Sequence, residues 1–321
     1  MKIIRLVKLL ITGATGLLGS SLVRYGAAHS YDVIGVSHVP TKADMGITQR
    51  FFDLTNPDVT SRHLSDLRPQ AIIHCAAMTN VDYCEKARAE AWKVNVEATK
   101  TVSHWAEAHS AQFVFISSDS VFDGGAGDYD ENAAAHPLNE YARTKVAAEE
   151  IVRERMPRAL IVRTNFYGQS WKKGKASLGE WMLGKLLRKE CFNAFGDVRF
   201  NPLLTNALSK IIFELVARKA CGNFHVGARD SCSKYEYARM LANIFNLDSN
   251  GITPVSVSAS SLDARRPRNT TLCVSKVTGF LGREMPSVED GLRSFYQMTD
   301  EGGIARLMNR RANSLAMTSV G

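Results

Sequence analysis

The chain has 321 residues, of which 45% are hydrophobic, enough to bury the core of one large α/β domain with a smaller companion. Its formal net charge of +8 suits an anionic ligand. The basic residues are scattered, however, and no nucleic-acid-binding motif accompanies them, so nucleic acid is not an expected partner. No apolar run approaches the roughly 18 residues of a membrane span, and charges interrupt the apolar N-terminal stretch, so the sequence predicts neither a membrane anchor nor a signal peptide. The six cysteines lie far apart without metal-ligand spacing, as is typical of reduced thiols in a cytoplasmic protein with no metal site.

The stretch at 9–19, LLITGATGLLG, carries three glycines, Gly13, Gly16 and Gly19. It follows an apolar, β-branched segment that predicts a strand, and it leads into a segment at 17–28 with helical periodicity. Such glycines let the chain turn sharply, admit a pyrophosphate against bare backbone and seat the helix close to the sheet. The pattern therefore favours dinucleotide binding over an ordinary turn. The predicted cofactor contacts in this stretch are Gly13, Thr15, Gly16, Leu17, Leu18 and Gly19.

Strands and helices alternate through more than half of the chain. The predicted strands lie at 31–37, 71–75, 112–118, 159–163 and 223–226, and the predicted helices at 60–67, 87–109, 140–155 and 206–218. This alternation predicts an α/β fold, namely a Rossmann-type doubly wound parallel sheet with a smaller C-terminal substrate-binding cap.

The regularity weakens beyond 164, and this change sets the predicted domain boundaries. We expect there a polar loop at 171–175, helices at 178–189 and 234–245, an irregular segment at 199–205 and a basic loop at 262–269. We predict a dinucleotide-binding Rossmann domain at 1–166 plus 201–227, a substrate-binding cap at 167–200 plus 228–298, and a tail at 299–321 whose apolar pattern is too sparse to predict a fold.

The end of the second predicted strand is where a dinucleotide fold reads the adenosine ribose, and a carboxylate there favours NAD by bonding the 2′-hydroxyl. These positions hold Ser37 and His38, with Lys42 nearby and no carboxylate. An uncharged or basic site tolerates a 2′-phosphate, so the sequence favours NADP(H) over NAD(H), with plain loop residues as the other interpretation. Asp53 either accepts a hydrogen bond from the adenine amino group or caps the next turn.

Two small residues and one amide mark the middle of the predicted cofactor site. Ala76 and Ala77 leave room for a flat cofactor where the strand at 71–75 ends. Asn95 lies in an apolar helical pattern, where an amide is costly unless it forms hydrogen bonds. It either holds a water or a backbone carbonyl beneath the active site or is a satisfied core amide. The further predicted cofactor contacts are Ser37, His38, Asp53, Leu54, Cys75, Ala76, Ala77, Thr79, Asn95 and Phe166.

Tyr141 and Lys145 stand four residues apart on the predicted helix at 140–155, so their side chains share one face. A phenol has a pKa of about 10, and a neighbouring ammonium and a positive nicotinamide ring both stabilise the phenolate. Tyr141 could then exchange a proton with an oxygen on the carbon that takes part in hydride transfer. Ser118 is the expected hydrogen-bond partner of that oxygen, with Ser117 as the alternative, since neighbouring strand residues face opposite sides.

Seven motifs together resemble a known family: TGATGLLG, HCAAMTNVD, ISSDSVFDG, PLNEYARTK, VRTNFYG, GNFHVGA and RRPRN. From about Lys8 to about Leu292 the chain resembles the extended short-chain dehydrogenase/reductase superfamily. Within it, the chain is most similar to the dTDP-4-dehydrorhamnose reductase family and to its relative, the regulatory β subunit of methionine adenosyltransferase.

This resemblance implies a bound NADP(H) or NAD(H), with Ser118, Tyr141 and Lys145 as the superfamily's catalytic triad. It implies an NAD(P)H-dependent reduction of the 4-keto group of a nucleotide-linked 6-deoxy sugar, in which Tyr141 supplies the proton and Lys145 also holds the nicotinamide ribose. The implied partners are a nucleotide-sugar substrate and, as in some family members, a second copy of the chain. The implied substrate contacts are Ser120, Val121, Phe122, Arg199 and Arg266, with Arg268 beside them.

Two departures from the family pattern leave alternatives open. Ser120 stands where the reductases usually have a tyrosine that shapes the sugar pocket, and the segment GDVRFNPLL matches their usual stretch poorly. A regulatory subunit that resembles the methionine adenosyltransferase β subunit is therefore the alternative function. An epimerase or dehydratase is disfavoured, because Asp119 is not followed by the glutamate that dehydratases usually have.

Overall fold

The computed structural model describes residues 7–40, 46–170 and 175–300. The strands are β1 (Lys8–Thr12), β2 (Asp32–Ser37), β3 (Thr48–Phe51), β4 (Ala71–His74), β5 (Gln112–Ile116), β6 (Leu160–Thr164), β7 (Phe166–Tyr167), β8 (Phe192–Phe195), β9 (Arg199–Phe200), β10 (Leu203–Leu204), β11 (Gly222–Val226), β12 (Cys232–Ser233) and β13 (Ile252–Val255). The helices are α1 (Leu17–Ala28), α2 (Pro57–Leu67), α3 (Val81–Lys86), α4 (Arg88–Trp92), α5 (Ala98–Ala108), α6 (Glu140–Arg155), α7 (Leu178–Leu187), α8 (Thr205–Ala217), α9 (Lys234–Ile244), α10 (Ser275–Leu281) and α11 (Val288–Asp300). A π-helical turn (Lys93–Glu97) joins α4 to α5, and short 3₁₀ turns lie at Asp119–Val121 and Val257–Ala259.

The central sheet has seven parallel strands in the order β11-β6-β5-β4-β1-β2-β3. The chain builds outward from β1 in one direction and then from β4 in the other. Ligands of such sheets bind at the carboxyl ends of the strands, where the winding direction reverses. This topology is a Rossmann-type α/β fold and places the candidate site at the ends of β1 and β4.

Helices cover both faces of the sheet, which explains the nearly continuous apolar character of its strands. Leu9 and Ile11 face the cluster that includes α1 and α8, whereas Leu10 faces the cluster that includes α2, α5 and α6. All three side chains are 0% exposed. Burying one such side chain stabilises the fold by about 1.5–3 kcal/mol, so β1 is firmly held where it enters the glycine turn.

The elements predicted around the sheet are found, with small shifts at their ends. The helix predicted at 140–155 has those bounds in the structure. The helix predicted at 87–109 is instead interrupted by the π-helical turn that contains Asn95. Single π turns are frequent at functional sites, and this one lets Asn95 turn inward to the backbone of Met78.

The C-terminal half holds pairings that local patterns do not reveal. Three two-stranded sheets join β7 to β10, β9 to β12, and β8 to β13. The segment predicted as irregular at 199–205 therefore contributes two short strands and the start of α8. Helices α10 and α11 were not predicted, and α11 takes in the first two residues of the predicted tail. The division into two domains stays a prediction.

Some predicted features lie outside the described residues, namely the start of the first strand at 3–6, Lys42, the loop at 171–174 and the tail from 301 onward. Within the described ranges, no helix combines the length and the apolar character needed to cross a bilayer.

Candidate functional site

The glycine turn after β1 is built on close backbone contacts. Gly13 has φ +65°, a conformation that side-chain-bearing residues rarely adopt. A Cβ on Gly13 would lie 2.9 Å from the backbone N and Cα of Ala76, and one on Gly19 would collide with the Gly13 carbonyl. The amide of Gly16 donates to the Gly13 carbonyl at 2.8 Å and closes the turn. Glycine is therefore required here by geometry.

Helix α1 begins directly after this turn with no side-chain cap at Gly16. Its first amides are thus left for another acceptor, and they carry the positive end of the helix dipole. Of the neighbouring predicted contacts, Thr15 and Leu17 are half-buried, whereas Leu18 is buried. The bare backbone and the uncapped amides fit the pyrophosphate of a dinucleotide.

Substitution of Gly13 by alanine tests this geometry. We expect Gly13→Ala to lower the free energy of unfolding by about 1–3 kcal/mol, because of its positive φ and the Ala76 contact. NADPH affinity should fall at least about tenfold in calorimetry, a loss of about 1.4 kcal/mol. Gly282→Ala is the matched control, since Gly282 has φ +71° but its added Cβ would meet nothing within 4 Å. Equal NADPH affinity in the two variants would contradict the role of the turn.

The residues predicted to contact the adenosine end lie where β2 and β3 finish. Ser37 is buried, and the exposed His38 ring places Nδ1 3.8 Å from Asp53 Oδ1. The same carboxylate oxygen accepts from the amide of Thr55 at 2.9 Å, so Asp53 caps its own turn. Burial acts to raise the pKa of Asp53, but the hydrogen bonds from Thr55 and the charge of His38 outweigh it and hold that pKa below its ordinary value. Leu54, the next residue, packs against the core.

The side-chain amide of Asn95 is buried and forms hydrogen bonds with the Met78 backbone and with Thr144. Its Oδ1 accepts from the amide of Met78 at 2.7 Å, and its Nδ2 donates to the Met78 carbonyl at 3.1 Å. The same Nδ2 donates to Thr144 Oγ1, whose hydroxyl donates to the carbonyl of Tyr141. Asn95 therefore ties the segment after β4 to the first turn of α6. Around it, Cys75, Ala76 and Ala77 are half-buried and Thr79 is exposed, while Phe166 is half-buried in β7.

A buried histidine that sequence reasoning missed completes this network. Thr12 Oγ1 accepts from the amides of Cys75 and Ala76, so its own proton goes to His74 Nδ1 at 2.8 Å. Thr99 donates to the backbone, so it accepts from His74 Nε2 at 3.1 Å. Burial and the charge of Lys145 lower the pKa of His74 to about 3, which keeps the ring neutral. Its position between β1, β4 and α5 follows from tertiary pairing, which a single sequence does not display.

The two serines after β5 face opposite sides. Ser117 donates to Glu149 Oε1 at 2.5 Å and points away from Tyr141. Ser118 instead lies within hydrogen-bond reach of the Tyr141 phenol, and its Oγ also accepts from the amide of Ser120 at 3.1 Å. Of the two alternatives, the geometry therefore places Ser118 beside Tyr141.

Tyr141 has a pKa above its ordinary value of 10.0, whereas the sequence suggested a lowered one. Burial is the main cause and the charge of Asp119 adds to it, while the hydrogen bond with Ser118 acts in the opposite direction. The Lys145 ammonium donates to the Ile116 carbonyl at 2.8 Å. Tyr141 is thus a protonated phenol at neutral pH, which is the form that donates a proton.

Lys145 is 2% exposed, and its Nζ lies 4.0 Å from the centroid of the Phe115 ring. Burial lowers the pKa of Lys145 to about 8, and the nearby groups Glu149 and Cys75 act to raise it. The ammonium is therefore retained at neutral pH but is close to titration. The charge of Lys145 acts on the Cys75 thiol after β4, and the backbone of the next residue, Ala76, lies close to Gly13.

Glu149 is a second residue near the site that sequence patterns did not indicate. It is 1% exposed and accepts from Ser117 and from the Arg163 guanidinium, whose Nη2 lies 2.7 Å from Oε2. Its place four residues after Lys145 on α6 was the available signal, because that spacing puts the two side chains on one face. Through these hydrogen bonds, Glu149 holds α6 against Ser117, which follows β5, and against Arg163 on β6.

The predicted substrate contacts Val121 and Phe122 require correction. Both side chains are 0% exposed and pack in a small cluster with Leu272. The Phe122 ring also stacks on Tyr129 with centroids 4.1 Å apart. These side chains have no face open to a substrate, because the turn after β5 directs them into the core. Ser120, just before them, is half-buried.

The predicted arginines already have protein partners. Arg266 Nη2 lies 2.6 Å from Asp82 Oδ2, and Arg199 Nη1 lies 3.2 Å from Glu236 Oε2. Arg268 is more exposed, with Nε 3.9 Å from Asp197 Oδ2. A substrate diphosphate at this edge would have to compete with these ion pairs. In the part of the chain that the structure describes, no cluster of three metal-ligating side chains is found.

Comparison with known proteins places this site in a family. The chain is 30% identical over 289 residues to a probable low-salt glycan biosynthesis reductase of Haloferax volcanii, covering 88% of this chain and 95% of that protein. It is also 30% identical over 287 residues to methionine adenosyltransferase 2 subunit beta of Pongo abelii, covering 87% and 84% of the two chains. The crystal structure of dTDP-4-dehydrorhamnose reductase from Bacillus anthracis in complex with NADP superposes with a TM-score of 0.81 at 30% identity, covering 92% of this chain and all of that one.

The model of the family described as the RmlD substrate binding domain matches residues 7–300. That range includes the glycine turn, both serines after β5 and the Tyr141–Lys145 pair. The resemblance to the reductases of the extended short-chain superfamily is thereby confirmed, and the chain belongs to the RmlD substrate-binding-domain family.

Proposed function

We propose that the protein is an NADP(H)-preferring oxidoreductase that reduces the 4-keto group of a nucleotide-linked 6-deoxy sugar. The observation that carries this proposal is the convergence of Ser118, from the end of β5, with Tyr141 and Lys145, from α6, beside the glycine turn. Ligands of open α/β sheets bind at this edge. The family match and the named reductases at 30% identity support the reaction class.

The proposed chemistry uses Tyr141 as the general acid. The glycine turn and the uncapped start of α1 would hold the nicotinamide cofactor, which when bound in its reduced form would supply the hydride for the carbonyl carbon. Tyr141 donates its phenolic proton to the carbonyl oxygen, and its raised pKa keeps that proton available at neutral pH. Ser118 holds the oxygen within reach of the phenol, and the Lys145 ammonium, fixed by the Ile116 carbonyl, stabilises the phenolate that remains.

The cofactor preference rests on the residues at the end of β2. Ser37 offers a small hydroxyl, and the exposed His38 offers a ring nitrogen to a 2′-phosphate. No carboxylate occupies these two positions to bond a 2′-hydroxyl, the feature that favours NAD. We therefore expect NADPH to bind more tightly than NADH in calorimetry.

The direct test adds dTDP-4-keto-6-deoxyglucose to the NADPH-loaded protein and follows the nicotinamide absorbance. We expect this absorbance to disappear. If NADPH binds but a panel of dTDP-4-keto sugars gives no turnover, the reductase proposal is wrong. Stable co-purification with a methionine adenosyltransferase would then favour the regulatory-subunit alternative.

A further inference from the structure

Lys234, the first residue of α9, has a side-chain ammonium that lies against an aromatic ring and not beside a hydrogen-bond acceptor. Its Nζ lies 3.1 Å from the centroid of the Phe200 ring, on β9. Across the described ranges, this ammonium makes no hydrogen bond, and no carboxylate lies within 4.0 Å of it. A cation over an aromatic ring is stabilised by the ring quadrupole, but the ring satisfies none of its three N–H donors.

The surroundings of Lys234 disfavour its charge. Burial lowers the pKa of Lys234 to about 8, while the carboxylate of Asp119 acts to raise it. An ammonium removed from water without a hydrogen-bonded partner is costly. A half-buried lysine of this kind therefore suits an acceptor that arrives from outside the chain.

The negative charge of Asp119 acts on Lys234, but both oxygens of this carboxylate already accept hydrogen bonds from other residues. Its Oδ1 accepts from Ser118 at 3.1 Å and from Ser120 at 3.4 Å. Its Oδ2 accepts from Asn165 at 2.9 Å and from Thr270 at 2.6 Å. With four donors already bound, the carboxylate acts on the ammonium only through space.

Contacts of Thr270 place Lys234 near the site. The Thr270 amide donates to the carbonyl of Arg199, the residue before Phe200, at 3.1 Å, and its hydroxyl donates to Asp119 at 2.6 Å. Asp119 bonds Ser118, and Ser118 in turn lies beside the Tyr141 phenol. The lysine charge is therefore close to the end of the site where the carbonyl is expected to react. Arg199, the residue before Phe200 on β9, forms an ion pair with Glu236. It would have to break this ion pair to bind a substrate oxygen at the same place.

We infer that Lys234 is a substrate-binding residue whose ammonium donates hydrogen bonds to oxygen atoms of the sugar ring. This inference rests on the proposed function and goes beyond it, because it assigns recognition of the sugar, as distinct from its diphosphate, to one residue on α9. Phe200 orients the ammonium, and Asp119 keeps it protonated near the site. A sugar that lacks the corresponding oxygen loses this contact.

The test compares the binding of dTDP and of dTDP-glucose to the NADP⁺-loaded protein by calorimetry. Lys234→Met keeps the length of the side chain and its contact with Phe200 while removing the charge. We expect dTDP-glucose to bind about 10- to 100-fold more weakly to this variant, and dTDP to bind as it does to the wild type. Lys276→Met is the matched control, because Lys276 also lies over a ring, that of Phe224, but its ammonium donates to the Asn223 carbonyl.

Each result has a distinct meaning. If Lys234→Met binds dTDP-glucose like the wild type, the inference is overturned and the proposed function stands. A parallel loss of dTDP and dTDP-glucose affinity assigns Lys234 to the diphosphate and overturns the sugar assignment. If the wild type binds NADPH but neither dTDP ligand, the proposed function itself fails, and the inference fails with it. Should Lys234→Met not fold, Lys234→Gln, which keeps a hydrogen-bond donor, is expected to show an intermediate affinity for dTDP-glucose.

Discussion

Tyr141→Phe is expected to lower kcat for the reduction of a dTDP-4-keto-6-deoxy sugar by about 10²- to 10⁴-fold, the usual contribution of a general acid. The ring that packs in the site remains, and only the hydroxyl that reaches Ser118 is removed. NADPH affinity should therefore change less than about twofold, a difference well below 1.4 kcal/mol. Calorimetry and steady-state kinetics on the same preparation measure the two quantities.

Tyr83→Phe is the matched control for this variant. Tyr83 is exposed, and its hydroxyl donates to Glu90 at 2.9 Å on the surface. We expect this control to keep wild-type kcat. If Tyr141→Phe retains more than about a tenth of the wild-type kcat, another group donates the proton. A loss smaller than about tenfold is less than a general acid is expected to contribute.

Most of the sheet could be predicted from the sequence because strands such as β1, β4, β5 and β6 are short apolar runs that end at a polar or glycine-rich turn. β1 shows this most clearly, since Leu9, Leu10 and Ile11 are buried and the next turn requires glycine. Helix α6 was equally clear, because Asn139 caps its first turn by accepting from the amide of Ala142. These signals are local, and a single sequence displays them. The edge strand β3, with the sequence TQRF, is largely exposed and was not predicted.

The parts that the sequence did not reveal depend on contacts between distant segments. The strands β9 and β12 have two residues each, and only their pairing defines them. The burial of Val121 and Phe122 likewise depends on Leu272, about 150 residues away in the chain. The predicted lowering of the Tyr141 pKa left out the burial of the phenol, which is the main cause of its raised pKa. Spacing on a helix gives the shared face of two side chains but not how deeply each is buried.

Lys145→Met is expected to lower kcat/KM by at least about 10²-fold, because it removes the charge that stabilises the Tyr141 phenolate. NADPH affinity should fall as well, since the resemblance to the reductases assigns the nicotinamide ribose to this ammonium. In the wild type, both quantities should decline as the pH rises through about 8, the pKa of Lys145, because the ammonium then loses its proton. In the variant, the decline of NADPH affinity in this range should be absent. Lys276→Met is the control and should keep the wild-type profile.

The stability of Lys145→Met separates this role from a structural one. The pKa of Lys145 in the folded protein, about 8, lies below its ordinary value of 10.5. Between these values the unfolded chain binds a proton that the folded chain does not, so this lysine makes the free energy of unfolding rise with pH over that window. Removing the buried charge abolishes this contribution and should leave Lys145→Met at least as stable as the wild type at pH 7 in urea denaturation. A variant that loses activity only because it unfolds would contradict the catalytic role, whereas a stable, inactive variant supports it.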